Sequence, residues 1–365
     1  MSGTSLDGVD AVLARFASDT APVQVLVHVH MPFPSALRDE LLALNSTGPD
    51  ELHRAALASN GLSQIYATAV SALLRAAPIP ASSVTAIGAH GQTVRHRPGE
   101  FDGTGYTLQL INGALLAELT RIDVVCDFRS RDVAAGGQGA PLVPGFHAAL
   151  FDQPELAQAI LNLGGIGNLT LLDGRGGIRG FDCGPGNALM DSWCLQHRGQ
   201  PFDDQGNWAA SGRLIPSLLA NLLAEPFFSR PAPKSTGRDL FDTRWLHQAI
   251  DKAQATTAKP ADIQATLAEL TVQAAVTAVR SYLPEAARLL VCGGGAMNRH
   301  LMQRLSEILS AVQVCTTDTI GLPALQVEAA AFAWLCQAFL NRKAANCPIV
   351  TGAHGMRLLG AHYPA

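Results

Sequence analysis

Three glycine-rich turns constrain the fold of this 365-residue chain most strongly, because each lies beside a short apolar segment. They read GTSLDG at residues 3–8, GGIGN at 164–168 and GGGAMN at 293–298. Successive backbone NH groups in such turns form a concave site that suits phosphate. One such turn is weak evidence, since glycine is common wherever the backbone is left-handed. Three of them beside strand-like segments predict an α/β protein that binds phosphate groups.

The distribution of charge narrows the choice of partner. The chain has only four lysines, the first being Lys234, so an anion site within residues 1–233 must use backbone NH groups, helix N-termini, arginine or a metal ion. The net charge of −4 and the lack of a basic run argue against nucleic acid and an anionic membrane surface. The longest apolar stretch, residues 329–340, is too short to span a bilayer. Small molecules are the expected partners.

Other motifs are informative by their spacing. The seven cysteines are scattered and include no CxxC pair, which indicates reduced thiols and a cytoplasmic protein. The pattern GxxxxGK[ST] does not occur, and no GxGxxG stands between a strand and a helix with an acidic residue about 20 positions further on. These features argue against a Walker-type NTPase and against a dinucleotide-binding fold.

The length favours two domains, which we expect at residues 1–130 plus 342–365 and at 131–341. Segments 90–103 and 128–146 are expected to be loops, and 348–365 a tail. The pair of strands at 107–111 and 122–128, with a helix between them, predicts a parallel βαβ unit. Apolar patterning predicts strands over 9–16, 84–89, 107–111, 122–128, 159–163, 169–172, 178–182 and 289–292, and helices over 51–76, 113–120, 188–197, 263–278, 299–309 and 329–340.

The segment IRGFDCGPGNALMDSW holds the strongest catalytic candidate. Asp182 is expected at the carboxyl end of a strand and Asn187 at the cap of the following helix. Ligands bind at the carboxyl ends of strands in open α/β sheets, so Asp182 is a candidate general base. The alternative is an aspartate that braces the GPG turn.

Other polar residues have two explanations each. His90 could line a cleft or be a structural histidine, and Glu328 could act in a site or be an acid favoured by the helix dipole. Lys234 and Arg238 lie in a loop that could close on phosphates or be solvated. Further candidates to line a cleft are Gln92, Arg129, Arg131 and Asp132.

Seven motifs occur in order along the chain: MSGTSLDGVD, HGQT, DFRSRDVAAGGQGAPLVP, LNLGGIGN, GFDCGPGNALMD, PKSTGRD and CGGGAMN. Together they resemble the anhydro-N-acetylmuramic acid kinase family, in the superfamily of acetate kinase, sugar kinases, heat-shock ATPases and actin. The resemblance implies an α/β, two-domain, actin-like or ribonuclease H-like ATPase fold, with mixed central sheets flanked by helices and ATP in the interdomain cleft. It also implies Mg²⁺, a sugar substrate from peptidoglycan recycling, and a homodimer as a further expectation.

The resemblance also implies roles for individual residues, each at a position of this chain that matches one of the family's motifs. Asp182 is similar to the family's catalytic base, while the metal ligand is left open among Asp7, Asp10 and Asp182. The resemblance implies that ATP is bound by Gly3, Thr4, Ser5, Leu6, Asp7, Gly8, Val9, Asp10, Gly164, Gly165, Gly167, Asn168, Gly293, Gly294, Gly295 and Asn298. It implies that the sugar is bound by His90, Gln92, Arg131, Gly184, Pro185, Gly186, Asn187 and Glu328.

The substrate chemistry explains how one carboxylate can suffice. In a 1,6-anhydro sugar, O6 is both the leaving group from C1 and the atom to be phosphorylated. The γ-phosphoryl group of ATP can capture O6 in place of a proton, which leaves Asp182 to activate water at C1.

Two other readings remain open: a nucleotide-dependent switch that binds partners, and a kinase acting on an ordinary hydroxyl. The family has a short strand before MSGTS, and we expect a start upstream of Met1, with a weakened ATP site as the alternative.

Overall fold

The computed structural model describes residues 1–3, 5–17, 23–237 and 240–365. The chain forms two compact units, Met1–Leu150 with Gln326–Ala365, and Phe151–Leu325. The unit boundaries differ from the expected domain boundaries, because residues 131–150 and 326–341 belong to the first unit. The helix Val327–Leu340 explains the difference, since Phe332 and Leu335 on this helix pack in one apolar core with Val125 of the first unit.

The strands are β1 (Gly8–Arg15), β2 (Gln24–Pro32), β3 (Ile87–Gly88), β4 (Gln92–Pro98), β5 (Gly105–Leu110), β6 (Val124–Cys126), β7 (Gln158–Leu163), β8 (Ile166–Leu172), β9 (Ile178–Pro185), β10 (Arg288–Cys292), β11 (Gln313–Thr316) and β12 (Ala361–Tyr363). The helices are α1 (Ser35–Ala43), α2 (Glu51–Ala76), α3 (Gly113–Thr120), α4 (Ser130–Ala134), α5 (Val143–Phe151), α6 (Ala188–Arg198), α7 (Asn207–Ser211), α8 (Pro216–Leu223), α9 (Pro226–Ser229), α10 (Thr243–Lys252), α11 (Pro260–Tyr282), α12 (Arg299–Ile308), α13 (Val327–Leu340) and α14 (Pro348–Thr351).

The second unit is built on one mixed sheet in the order β11-β10-β7-β8-β9. Strands β7, β8 and β9 form an antiparallel meander, while β10 is parallel to both β7 and β11. This order and these directions are those of the ribonuclease H-like fold. Helix α11 packs against β8 and β9 and is buried along most of its length. The predicted α/β fold class, with mixed sheets flanked by helices, is confirmed.

The first unit carries smaller sheets: the hairpins β1-β2 and β4-β5, and the mixed sheet β12-β6-β3. Helix α2 packs against β1 and β2, and its buried residues include Leu62 and Tyr66. The predicted parallel pairing of strands 107–111 and 122–128 is wrong. Strand β5 pairs with β4, and the parallel partner of β6 is β3.

Three segments expected to be irregular contain regular elements. The segment 90–103 contributes β4, the segment 128–146 contributes α4 and the start of α5, and the segment 348–365 contains α14 and β12. Strands β4 and β12 depend on pairing with β5 and β6, partners that local sequence does not reveal. None of the helices in the described part of the chain combines the length and apolar character needed to cross a membrane.

Candidate active site

The first glycine-rich turn, here called the phosphate loop after its predicted role, is residues 3–10, of which Thr4 lies outside the described residues. Leu6 has a left-handed backbone, φ 56°, and its NH donates to the Gly3 carbonyl at 3.3 Å. The Leu6 and Val9 side chains are buried in the apolar core, so only their backbone faces outward. Asp7 is exposed and accepts a 2.7 Å hydrogen bond from the Ser5 hydroxyl. The loop therefore offers backbone groups and the exposed carboxylate of Asp7.

Buried polar side chains fix the start of this loop. The Ser2 hydroxyl donates to the Gly91 carbonyl at 2.8 Å and lies 3.2 Å from the Tyr66 hydroxyl. The Tyr66 hydroxyl also accepts the Gly91 NH at 3.2 Å, and burial raises the pKa of Tyr66 to about 12. The Gln92 amide donates to the Gly3 carbonyl at 3.1 Å. The HGQT motif thus holds the start of the phosphate loop, through Gly91 to Ser2 and through Gln92 to Gly3.

His90 is held at both ring nitrogens. Its Nδ1 lies 3.1 Å from the Ser2 carbonyl, and its Nε2 accepts from Arg129, with Nε at 3.1 Å. Burial, followed by the neighbouring Arg129 charge, lowers the pKa of His90 well below its ordinary value. A neutral His90 with both nitrogens engaged positions the phosphate loop. Its direct contact with the sugar stays a prediction.

The other expected sugar ligands of the first unit differ in their surroundings. Arg131 is exposed on α4, whereas its neighbour Asp132 is fully buried. The Asp132 carboxylate accepts from Gly139 NH at 2.8 Å and from Thr351 Oγ1 at 2.9 Å. Asp132 therefore braces the glycine-rich turn after α4. Glu328 lies half-buried in the first turn of α13, where a helix-start acid is expected.

The second unit holds Asp182 inside β9, not at its end as predicted, because β9 continues to Pro185. Asn168 of the GGIGN turn lies directly opposite Asp182 across the β8-β9 pair, just after a bulge. The Asp182 carboxylate accepts the Thr236 NH at 2.9 Å, and the Asp182 NH donates to the Lys234 carbonyl at 3.0 Å. The segment around Thr236 thus runs along the outer edge of β9 and orients the carboxylate.

The GGIGN and GPGN segments are bonded to each other through their backbones. The Gly186 NH donates to the Gly165 carbonyl at 3.0 Å, and the Asn187 NH donates to the Gly164 carbonyl at 2.8 Å. A Cβ at Gly186 would lie 2.3 Å from the Gly164 oxygen, so a larger residue has no room. Gly184 has φ 146°, which favours glycine. Gly167 and Pro185 belong to the paired strands β8 and β9.

The third turn, residues 293–295, packs against these two segments. Residues 164–168, 184–187 and 293–295 together are called the glycine cradle. A Cβ at Gly295 would lie 2.5 Å from Leu163 Cβ, and Gly293 has φ 79°. By contrast, a Cβ at Gly164 or at Gly294 would meet a single neighbouring atom within 4 Å, at 3.7 Å. Gly164 and Gly294 therefore expose bare backbone to open space, which fits the close approach of a phosphate or nucleotide.

Two predicted ligands have clear structural partners. Asn298 caps α12 by accepting the Leu301 NH at 3.1 Å. Lys234 donates through Nζ to the Phe227 and Phe228 carbonyls, both at 3.1 Å. Lys234 is therefore anchored to α9, and the choice between a lid that closes on phosphates and a solvated loop stays a prediction. Arg238 lies outside the described residues.

One cluster in the first unit escaped the sequence reasoning. His28 Nε2 and His30 Nδ1 both lie 3.1 Å from Asp10 Oδ1, on the hairpin β1-β2. Burial raises the pKa of Asp10, but the hydrogen bonds from both histidines outweigh this effect and hold the pKa below its ordinary value. The sequence does show two histidines on one face of β2, in the alternating HVH at residues 28–30. Their link to Asp10 becomes visible only when the strand pairing places His30 opposite Asp10.

The family model described as anhydro-N-acetylmuramic acid kinase matches residues 1–365. The chain is 57% identical over 385 residues to the anhydro-N-acetylmuramic acid kinase of Albidiferax ferrireducens, covering 100% of this chain and 98% of the relative. It is 58% identical over 370 residues to that of Variovorax paradoxus, again covering 100% and 98%.

Among solved structures, component A of (R)-2-hydroxyglutaryl-CoA dehydratase from Acidaminococcus fermentans aligns with a TM-score of 0.43 at 11% identity, covering 89% of this chain and 96% of that chain. The sequence matches confirm the resemblance drawn from the seven motifs. This chain belongs to the anhydro-N-acetylmuramic acid kinase family.

Proposed function

We propose that this protein uses ATP and Mg²⁺ to phosphorylate O6 of 1,6-anhydro-N-acetylmuramic acid while Asp182 activates the water that opens the anhydro ring. The products are N-acetylmuramic acid 6-phosphate and ADP. The kinase activity is that of the family to which the chain belongs. The coupled ring opening and the roles of individual residues are our proposal.

One observation carries the proposal: Asp182 is a carboxylate held beside a glycine cradle. Its neighbours Asn168 and Thr236 fix its orientation through strand pairing and a 2.9 Å hydrogen bond. Phosphoryl transfer needs positioning and charge neutralisation more than covalent help. Gly164 and Gly294 offer uncovered backbone for nucleotide, which supplies the positioning half of that requirement.

The proposed reaction needs no separate general acid, because every bond broken is matched by a bond formed. Water attacks C1 as its proton passes to the Asp182 carboxylate, and the C1–O6 bond breaks. The O6 electron pair then forms the bond to the γ-phosphorus, and ADP leaves. A protonated Asp182 returns its proton to solvent after the products depart.

Residues of the chain fit Mg²⁺ as a partner of the nucleotide. Within the described ranges, no group of three or more histidine, cysteine, aspartate or glutamate side chains could hold a metal ion on its own. Mg²⁺ is commonly held by one or two carboxylates together with substrate phosphates and water. Asp7 is exposed in the phosphate loop and would be a suitable carboxylate. When bound, the ion would neutralise charge on the transferred phosphoryl group.

The decisive experiment is incorporation of oxygen from labelled water. Coupled hydrolysis predicts one labelled oxygen at C1 of the product, whereas transfer to an ordinary hydroxyl predicts none. A nucleotide-dependent switch would form no phosphorylated sugar. Absence of the label in a phosphorylated product would contradict ring opening by water.

A cytoplasmic location and a homodimer are part of the proposal. The seven cysteines all lie in the described part of the chain as free thiols, which supports a reducing compartment. The expected mass of the homodimer is twice the 38.4 kDa of the chain. Light scattering at working concentration tests it, and a monomeric mass would contradict it.

A further inference from the structure

We propose that Thr271 is a positioning residue for nucleotide binding, because its hydroxyl holds the GPGN segment and thereby orients the backbone of the GGIGN segment toward phosphate. This inference rests on the proposed function, since it assumes that the glycine cradle receives ATP. The observation behind it is one buried hydroxyl on α11 that lies within hydrogen-bond distance of two consecutive carbonyls of the cradle.

The Thr271 side chain lies in the middle of α11 and is only 3% exposed. Its Oγ1 is 3.0 Å from the Gly186 carbonyl oxygen and 3.1 Å from the Pro185 carbonyl oxygen. A threonine inside a helix commonly donates to the carbonyl four residues earlier, and here that oxygen, on Leu267, is farther away at 3.3 Å. A hydroxyl has one proton to donate. The shorter distances indicate that Thr271 shares this proton between the two carbonyls of the cradle.

The GPGN segment needs such a restraint from outside. Gly184 has φ 146°, and glycine loses more conformational freedom on folding than any other residue. Pro185 has no NH, so its carbonyl is the only polar group of its backbone. Pro185 and Gly186 are both buried, and a buried carbonyl without a donor is costly. The hydroxyl on α11 supplies the donor and fixes the conformation together.

The two peptide groups that accept from this hydroxyl are also held on their opposite side. A trans peptide group is planar, and its NH points away from its carbonyl. The Pro185 carbonyl shares its peptide group with the Gly186 NH, which donates to the Gly165 carbonyl at 3.0 Å. The next peptide group ends in the Asn187 NH, which donates to the Gly164 carbonyl at 2.8 Å. Both peptide groups therefore connect α11 to the GGIGN segment.

The same geometry carries the restraint into the GGIGN segment. The Gly164 carbonyl and the Gly165 NH belong to one peptide group, so fixing the carbonyl fixes the direction of that NH. A Cβ at Gly164 would meet a single neighbouring atom, at 3.7 Å, so the backbone here is uncovered. Hydrogen bonds in a chain polarise one another. The chain that begins at the Thr271 hydroxyl therefore ends at backbone that a phosphate can approach.

Thr266 provides a matched control on the same helix. It is fully buried, and its Oγ1 donates to the Asp262 carbonyl at 2.7 Å and accepts the Ile215 NH at 3.0 Å. It precedes Thr271 by five residues and bonds no group of the cradle among these contacts. Removing the Thr266 hydroxyl therefore costs stability without releasing the GPGN segment.

The test uses the full chain and its Thr271→Val and Thr266→Val variants. Isothermal titration calorimetry with ADP and Mg²⁺ should show about 5- to 10-fold weaker binding for Thr271→Val, the size expected of one buried hydrogen bond. Adenosine affinity should stay within about twofold, because adenosine has no phosphate. Thr266→Val should lower the urea midpoint and keep ADP affinity within about twofold.

Three results would overturn the proposal. The first is ADP affinity in Thr271→Val within about twofold of the unaltered protein. The second is an equal loss in Thr266→Val, which would assign the effect to the stability of α11. The third is an equal loss for ADP and adenosine, which would show a general disturbance of the site.

Thr271→Ser decides the matter even if Thr271→Val does not fold. Serine keeps the hydroxyl and removes a buried methyl group, so the urea midpoint should fall while ADP affinity stays within about twofold. A loss of ADP affinity of more than about fivefold in Thr271→Ser would contradict a role for the hydroxyl.

Turnover of the anhydro sugar is scored separately. Binding of ADP that depends on the Thr271 hydroxyl, without phosphorylation of the sugar, would contradict the proposed function alone. Turnover of the sugar with ADP affinity independent of Thr271 would contradict this inference alone.

Discussion

The phosphate loop of the first unit and the glycine cradle of the second unit are both glycine-rich, but they are held by different means. Buried side chains hold the start of the phosphate loop, because Ser2 and Tyr66 bond to the backbone of Gly91 and Gln92 bonds to the Gly3 carbonyl. Backbone bonds and close packing hold the cradle, as at Gly186 and Gly295. The first should fail when a side chain loses a polar atom, and the second when a glycine gains a carbon.

The largest expected effect is on turnover when Asp182 is replaced, and it distinguishes a catalytic role of this residue from a structural one. Asp182→Asn should retain the fold and nucleotide binding and reduce turnover by about 10³-fold or more, because the amide cannot accept the proton of water. Coupled ADP release with the anhydro sugar measures turnover, and calorimetry with ADP checks binding. Turnover within about tenfold of the unaltered protein would remove Asp182 from the role of base.

Acid should destabilise the first unit before the second. Burial lowers the pKa of His90 well below its ordinary value and lowers the pKa of His96 to about 4 and of His147 to about 3. These rings stay neutral when folded and take up protons near pH 6.5 when unfolded, so stability present above pH 6.5 is lost as the pH falls. Each contributes about 1.4 kcal/mol per pH unit below that value.

Hydrogen exchange with mass spectrometry at pH 7.5 and 5.5, corrected for intrinsic rates, measures this loss. Peptides within 1–150 should lose protection more than peptides within 151–325. The second unit is the internal control, although burial also lowers the pKa of His300 there. Equal losses in both units would contradict the difference.

Adding one carbon tests the cradle. Gly186→Ala would place Cβ 2.3 Å from the Gly164 oxygen, so the free energy of unfolding should fall by about 3 kcal/mol. Gly294→Ala is the matched control, since its nearest atom is 3.7 Å away. Urea denaturation should show no loss for the control, with weaker ADP binding instead. Similar stability of the two variants would show that close packing does not hold the cradle.

Removing one oxygen tests the phosphate loop. Tyr66→Phe leaves the Gly91 NH without its 3.2 Å acceptor, so we expect a loss of about 1–2 kcal/mol in unfolding free energy and a raised KM for ATP. Tyr106→Phe is the control, because Tyr106 is 38% exposed. Urea denaturation and steady-state kinetics measure both quantities. An unchanged KM with reduced stability would assign Tyr66 to folding alone.

Local signals predicted elements well where the sequence itself supplies the stabilising contacts. The helix predicted over 51–76 forms with those bounds, since its apolar spacing continues over seven turns. Asn112 caps α3 as predicted and accepts the Leu115 NH at 3.0 Å. The glycine-rich turns were also located from sequence, because glycine at those spacings marks positions where the backbone is left-handed or closely packed, as at Gly293 and Gly186; the catalytic role of Asp182 stays a prediction.

Long-range pairing could not be predicted. The sequence alone did not predict strand β2. Only the register of β2 against β1 brings His28 and His30 to Asp10. Asp182 meets Asn168 through a bulge in β8-β9, a feature of two strands together. The position of Thr236 beside Asp182 likewise depends on a tertiary contact across 54 positions of sequence.

The return of residues 326–365 to the first unit has a consequence for biosynthesis. Strand β12, which pairs with β6, and helix α13, which packs against β3 and β6, are both translated after the entire second unit. Strands β3 and β6 therefore lack these partners until then. The second unit is continuous in sequence and can fold as soon as it leaves the ribosome. The emerging first unit would expose the apolar surface of its core for the time needed to synthesise about 175 residues, roughly 9 to 35 seconds in bacteria. Chaperone demand should therefore be concentrated on the segment that carries the phosphate loop.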